Sequence, residues 1–160
     1  MKIKFFAIGG TIDKVYFDAL SSYQVGPPGI ENIIREARVN FDYEVVSLLK
    51  KDSLDMTPED RAMIHSEVDK ETDNYIVITH GTDTMVETAM VLKKIENKVI
   101  VLTGAMEPAC FKSSDASFNL GCAVAAVQIL PPGVYIAING RIFDPEKVKK
   151  DHSLKQFTEN

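Results

Sequence analysis

The chain has 160 residues, 45% apolar and 26% charged, with a net charge of −5. That size suits one ordinary domain with its own core, and the acidic balance argues against a phosphate-binding surface or a polybasic membrane patch. Small molecules are the expected partners, with nucleic acid and membrane excluded.

The chain opens on Ile3 to Ile8, a β-branched apolar run that reads as a buried strand. It is too short for a secretory h-region, and no small-residue cleavage pattern follows it. Directly after it comes the turn Gly9-Gly10-Thr11-Ile12. The next segment, 14 to 26, reads as a hairpin or connecting loop. Its aromatics Tyr16, Phe17 and Tyr23 suit a lid that excludes water.

A second strand is expected over 43 to 49. Thr57, with Pro58 after it and acidic residues in the first turn, marks the start of a helix. The third strand, 75 to 79, runs into Thr79-His80-Gly81-Thr82-Asp83-Thr84, and Thr84 with Glu87 has the spacing of a capping box for the helix that follows. A fourth strand spans 98 to 102. A helix then starts near Ser113-Ser114-Asp115 and runs to about Ile129, stopped by Pro131-Pro132-Gly133. The fifth strand covers 134 to 138.

This alternation predicts an α/β fold: a flavodoxin-like, Rossmann-like three-layer sandwich with a mainly parallel sheet in the order 2-1-3-4-5, residues 1–160 forming one domain. That order puts strand 1 beside strand 3. The turns at Thr11 and Thr82 then flank one crevice at the strand C-terminal ends, where such sheets bind ligands.

Each turn also has a purely structural reading. Glycines supply tight turns through positive φ, and Thr82, Asp83 and Thr84 are all good N-cap types. Only one residue caps a helix, however. With Thr84 as the candidate, Thr82 and Asp83 are left without a required structural task. No GxGxxG follows the first strand and no P-loop lysine follows a glycine, so nucleotide binding is poorly supported. A hydroxyl nucleophile is the better chemistry.

Cys110 and Cys122 have neither metal spacing nor the number for a disulfide framework. The longest apolar stretch, Leu120 to Leu130, is too short to span a membrane, so a cytoplasmic, reduced setting is expected. His80 reads as a hydrogen-bonded turn residue, His65 as lying on the polar face of a helix, and His152 as part of the tail. No metal or cofactor is called for. Met85 and Met90 read as core packing.

Three collinear motifs, Gly9-Gly10-Thr11-Ile12, Thr79-His80-Gly81-Thr82-Asp83-Thr84-Met85, and Leu102-Thr103-Gly104-Ala105-Met106 with Phe118-Asn119-Leu120 after it, resemble the signatures of the bacterial-type L-asparaginase family. The resemblance covers nearly the whole chain but corresponds only to the N-terminal domain of the usual two-domain enzyme. It implies that Thr11 is the primary nucleophile, that Tyr23 is a lid residue touching it, and that Thr82 and Asp83 are the second catalytic threonine and its carboxylate. Lys150 aligns with the lysine that pairs with that carboxylate, Lys149 being the alternative one residue away. Ser53 falls where the substrate's α-carboxylate is held. Leu54, Gly81 and Ala105 belong to the same substrate-binding set.

Two departures stand out. Many full-length members have a glutamine where this chain has Leu54, and the acidic residue lent by the usual C-terminal domain is missing, leaving Asp55 and Asp115 as internal candidates for the substrate's ammonium, each reading at least as well as a turn or cap residue.

The chemistry needs these residue types. A threonine hydroxyl is a weak nucleophile until a neighbouring base or relay activates it, a lysine held by a carboxylate can relay protons, and backbone N–H groups at a helix N-terminus stabilise an oxyanion. The expected activity is hydrolysis of L-asparagine to L-aspartate and ammonia through an acyl-threonine. A catalytically silent amino-acid-binding or regulatory protein and an amidotransferase component are the alternatives. The helix ending at Ile129 is apolar nearly all round, so a homodimer or homotetramer is expected.

Overall fold

The computed structural model describes residues 1–160. Strand β1 (Lys2–Gly9) is buried at every position after Lys2, as expected of a strand covered on both faces. After a 3₁₀ turn at Thr11–Asp13, β2 (Lys14–Phe17) and β3 (Ser22–Val25) pair as an antiparallel ribbon. Then follow α1 (Ile30–Ala37), β4 (Asp42–Lys51), α2 (Pro58–Lys70), β5 (Tyr75–Thr79), α3 (Met85–Leu92) and β6 (Val99–Thr103). The remainder comprises α4 (Ala116–Ile129), β7 (Gly133–Ile138), β8 (Arg141–Phe143), β9 (Val148–Asp151) and β10 (Gln156–Glu159).

The main sheet has the order β4-β1-β5-β6-β7-β8. Its first five strands run parallel and β8 is an antiparallel edge. Neither that edge nor the β9–β10 ribbon is among the five strands expected from the sequence. β9 reads Val-Lys-Lys-Asp and has no apolar run to announce it.

Alternate strand residues feed two cores. On one face Phe6, Ile78, Ile100 and Ile136 meet Ile64 and Val68 of α2, Met85 and Leu92 of α3, and Phe143, Val148 and Phe157 from the C-terminal strands. On the other, Phe5, Val77 and Val101 meet Ile30 and Ile34 of α1 and Leu120, Ala123 and Val127 of α4. The result is the three-layer α/β sandwich with a mainly parallel sheet.

Helix α2 is held at its start by a capping box: Asp60 N–H donates to Thr57 Oγ1 at 3.2 Å, and Thr57 N–H donates to the Asp60 carboxylate at 2.9 Å. The box expected at Thr84 and Glu87 does not form. Thr84 stands at the N-cap of α3, but its hydroxyl donates to the Ser53 carbonyl at 2.8 Å, and Glu87 pairs with Arg61 at 2.9 Å. Tertiary partners outbid the local motif. Met85 is fully buried, whereas Met90 is 41% exposed and lies outside the core expected for it.

Candidate active site

Four turns at the C-terminal ends of the parallel strands abut one another, and glycines let them do so. Gly10, at φ 86°, is tied by its N–H to the Lys51 carbonyl at 2.9 Å, and a Cβ there would run into the main chain of Gly81. A Cβ on Gly81 would in turn lie 2.6 Å from Ser53 Oγ. The ends of β1, β4 and β5 are thus packed main chain against main chain or against a serine. The Gly104 turn after β6 is equally close to the His80 carbonyl.

Across this junction lies a three-residue contact. Lys150 Nζ donates to Thr82 Oγ1 at 2.7 Å and to Asp83 Oδ1 at 2.6 Å, although the lysine sits 68 residues beyond the threonine. Thr82 is 5% exposed. Ribbon pairing explains the reach: on β9 Lys150 stands opposite Phe157, whose ring is buried in the core. Strand alternation then points Lys149 to solvent. The geometry selects Lys150 over Lys149 as the lysine at Asp83.

Thr11 begins the 3₁₀ turn after Gly10 and is half-buried. Ser53 is 1% exposed and its hydroxyl has no partner within the protein. Buried hydroxyls are normally satisfied, and this one is an exception. Leu54 beside it is 71% exposed and brings no polar group. The methyl of Ala105 is buried in the core under α4, leaving only its main chain for the crevice. The N–H groups of Gly81, Thr82 and Asp83, just before α3, find no backbone acceptor and remain available.

The segment expected as a lid folds as the β2–β3 ribbon. Tyr23 stacks edge-on against Tyr16 at 5.4 Å and Phe111 at 5.5 Å, bridging the ribbon to the loop before α4. Tyr16, Phe17 and Tyr23 are about half exposed.

His80 is fully buried, with Nδ1 2.7 Å from the Gly81 carbonyl and Nε2 2.8 Å from Thr88 Oγ1. Burial pushes its pKa down to about 4, so it is neutral at physiological pH and serves the turn. His65, on α2, is partly exposed, and its Nε2 is buried without a partner. No three His, Cys, Asp or Glu side chains cluster as a metal site would require.

Asp115 is spent on structure. Its carboxylate accepts from the N–H groups of Met106 and Glu107 at 3.0 and 3.1 Å and from the Asn119 amide at 2.8 Å. Asn119 also donates to the Gly104 carbonyl at 3.0 Å and accepts from Asn139 N–H at 3.1 Å. Together the two residues hold the turn after β6 in place. Asp55 is exposed. Two further side chains border the site: Met106, the last residue of the Leu102–Met106 motif, whose sulfur lies 3.8 Å from Thr82 Oγ1, and His152, read from the sequence as part of the tail, 3.7 Å from Asp83.

Fold and crevice together define a doubly wound α/β domain with a hydroxyl–lysine–carboxylate site at its strand switch point. The family model described as Asparaginase, N-terminal, matches residues 2–158. The chain is 37% identical over 164 residues to L-asparaginase from Thermococcus kodakarensis, covering 96% of this chain and 49% of that protein. It is 35% identical over 169 residues to L-asparaginase 2 from Escherichia coli, covering 98% and 48%. Among solved structures, the thermostable L-asparaginase from Thermococcus kodakarensis superposes with a TM-score of 0.86 at 30% identity, over 99% of this chain and 51% of that one. A probable cytoplasmic L-asparaginase from Campylobacter jejuni does so with a TM-score of 0.81 at 32% identity, over 99% and 51%. This chain therefore belongs to the asparaginase family and matches its N-terminal domain. It spans about half the length of the relatives it matches.

Proposed function

We propose that this chain hydrolyses the side-chain amide of L-asparagine, giving L-aspartate and ammonia, through a threonine nucleophile and an acyl-enzyme. The observation that carries the reading is the Lys150 nitrogen in contact with both the Thr82 hydroxyl and the Asp83 carboxylate. A binding protein has no need of two nucleophile-type hydroxyls beside such a relay.

In this reading Thr11 Oγ1 attacks the amide carbon, and the threonine proton passes through the Thr82–Lys150 pair to the departing nitrogen. The C–N bond breaks, ammonia leaves and the aspartyl group stays as an ester on Thr11. Water then adds to the ester carbon, the C–O bond to Thr11 breaks, and the threonine recovers its proton. The free N–H groups at the start of α3 supply donors for the oxyanion of both steps. The unpartnered Ser53 hydroxyl receives the substrate α-carboxylate, with Gly81 and the Ala105 main chain shaping the pocket. Tyr23 closes over Thr11 from the ribbon.

The test is ammonia release by the purified 160-residue chain with asparagine and with glutamine. Turnover of asparagine that disappears in Lys150→Met supports the reading. A folded protein that binds asparagine without releasing ammonia overturns it in favour of a silent amino-acid binder.

We further infer a homo-oligomer, with a second copy covering the outer face of α4. Phe118 and Ile129 are 63% and 78% exposed there, and Gly121 opens onto empty space.

A further inference from the structure

Beside the Thr11 turn opens a cleft of about 510 Å³, and Thr11, Thr82, Asp83 and Lys150 are all absent from its lining. At its base is Asp13, which is only 3% exposed. One carboxylate oxygen, Oδ1, accepts the Gly29 N–H at 2.8 Å. The other has no donor, and no cation lies within ion-pair distance. The adjacent Lys14 is taken up by Asp52 at 2.9 Å. The other charged or ionisable groups facing the cleft are Glu36 on α1 and Cys110 and Lys112 on the loop before α4, all exposed.

A buried carboxylate with a single hydrogen bond is expensive, and proteins normally give such a group a cation or a further donor. Here the missing partner has room to come from outside. A metal ion is a poor candidate, because hard cations take six or more oxygen ligands and the site offers one buried carboxylate. An alkylammonium group fits better. It brings three N–H donors on one compact charge, one for Asp13 and the others for water or for neutral acceptors on the cleft wall such as Asn32 and Ser117.

We propose that this cleft is a second ligand site, taking a small molecule with a primary ammonium group that docks on Asp13. Its position gives occupancy a route to the rest of the fold. The Asp13 carbonyl accepts the Gly26 N–H at 2.8 Å, at the foot of the β2–β3 ribbon, and the preceding Ile12 carbonyl accepts the Ala109 N–H at 3.0 Å. Burial pushes the Asp13 pKa up to about 7, so a cationic ligand competes with a proton for the same oxygen.

The test is a titration of the full chain followed by the amide resonances of Gly26, Gly29 and Ala109, and it needs no catalytic turnover. Propylammonium probes the ammonium alone. 4-Aminobutyrate adds a carboxylate for Lys112 and so distinguishes a simple amine from an amino acid, while tetramethylammonium, which has no N–H, controls for ionic strength. The expected result is saturable shifts with the first two probes at pH 8 and affinity about tenfold weaker at pH 6, as Asp13 takes up its proton. Asp13→Asn should abolish the shifts. If that variant does not fold, Ser117→Phe, which fills the cleft from α4 and leaves Asp13 in place, should abolish them instead. Equal shifts with tetramethylammonium, shifts that survive both substitutions, or no saturable shift at pH 8 overturn the site.

Discussion

Two hydroxyls and one amine carry the chemistry proposed here, and each can be removed with little change of shape. Thr11→Val should lower asparagine turnover by several orders of magnitude with the fold intact by circular dichroism. Thr82→Val should be similarly impaired, and the double variant hardly worse than either single one, because groups that act as a unit are non-additive. Losses that multiply in the double variant would show independent roles. Lys150→Met should remove nearly all activity, whereas Lys149→Met, altering an exposed side chain on the other face of β9, should keep most of it.

Two buried titratable groups make stability depend on pH in opposite senses. The folded protein holds His80 at about 4 against an ordinary 6.5, so its contribution is present above pH 6.5 and drains away as pH falls towards 4. Asp13 is held at about 7 against an ordinary 3.8. Its contribution is full below 3.8 and is lost as pH rises through 7. The two slopes overlap between pH 4 and 6.5 and partly cancel. Asp13→Asn should therefore be more stable than the parent at pH 8, by roughly 2–4 kcal/mol, with the gain shrinking to less than half of that at pH 5 and vanishing below 3.8. Thermal denaturation at the two pH values decides the matter, and equal gains at both would rule out titration as the cause.

At the level of elements, local signals were readable where they faced no competitor. The Thr57 N-cap forms as its sequence suggests, with Asp60 closing a box on it, and Thr57→Ala should cost about 1 kcal/mol in denaturant unfolding while leaving turnover unchanged. Thr84, an equally good capping residue, is drawn to the Ser53 carbonyl, and nothing within its own helix foretells that. The parallel strands announce themselves because burial on both faces demands unbroken β-branched runs such as Tyr75 to Thr79. The C-terminal strands are short, partly polar and stabilised by long-range contacts. Thus Lys150 could be placed from the sequence only by resemblance, and its contact with Thr82 emerges only from the pairing of β9 with β10. Asp115 has two readings in the sequence, ammonium partner or turn residue, and its hydrogen bonds to the Met106 and Glu107 N–H groups and to Asn119 favour the second.

At the scale of the whole molecule, the outer face of α4 is the feature that a lone copy leaves unexplained. A stripe formed by Phe118, Gly121, Ala125 and Ile129 faces outward, and an apolar helix face normally seeks cover. The double substitution Phe118→Ser with Ile129→Ser should convert an oligomer to a monomer by light scattering without unfolding it. Val124 is a poorer target, because it packs partly against the core and a charge there would also disturb the fold. A parent protein that is monomeric at micromolar concentration would dispose of the oligomer. The position of Lys150 on β9 also sets an order of events during synthesis. Both threonine turns emerge from the ribosome with the parallel strands that shape them, while the amine that joins Thr82 to Asp83 follows 68 residues later. A nascent chain can therefore display its hydroxyls in a half-built crevice, and on the proposed chemistry it is the docking of the β9–β10 ribbon that arms it.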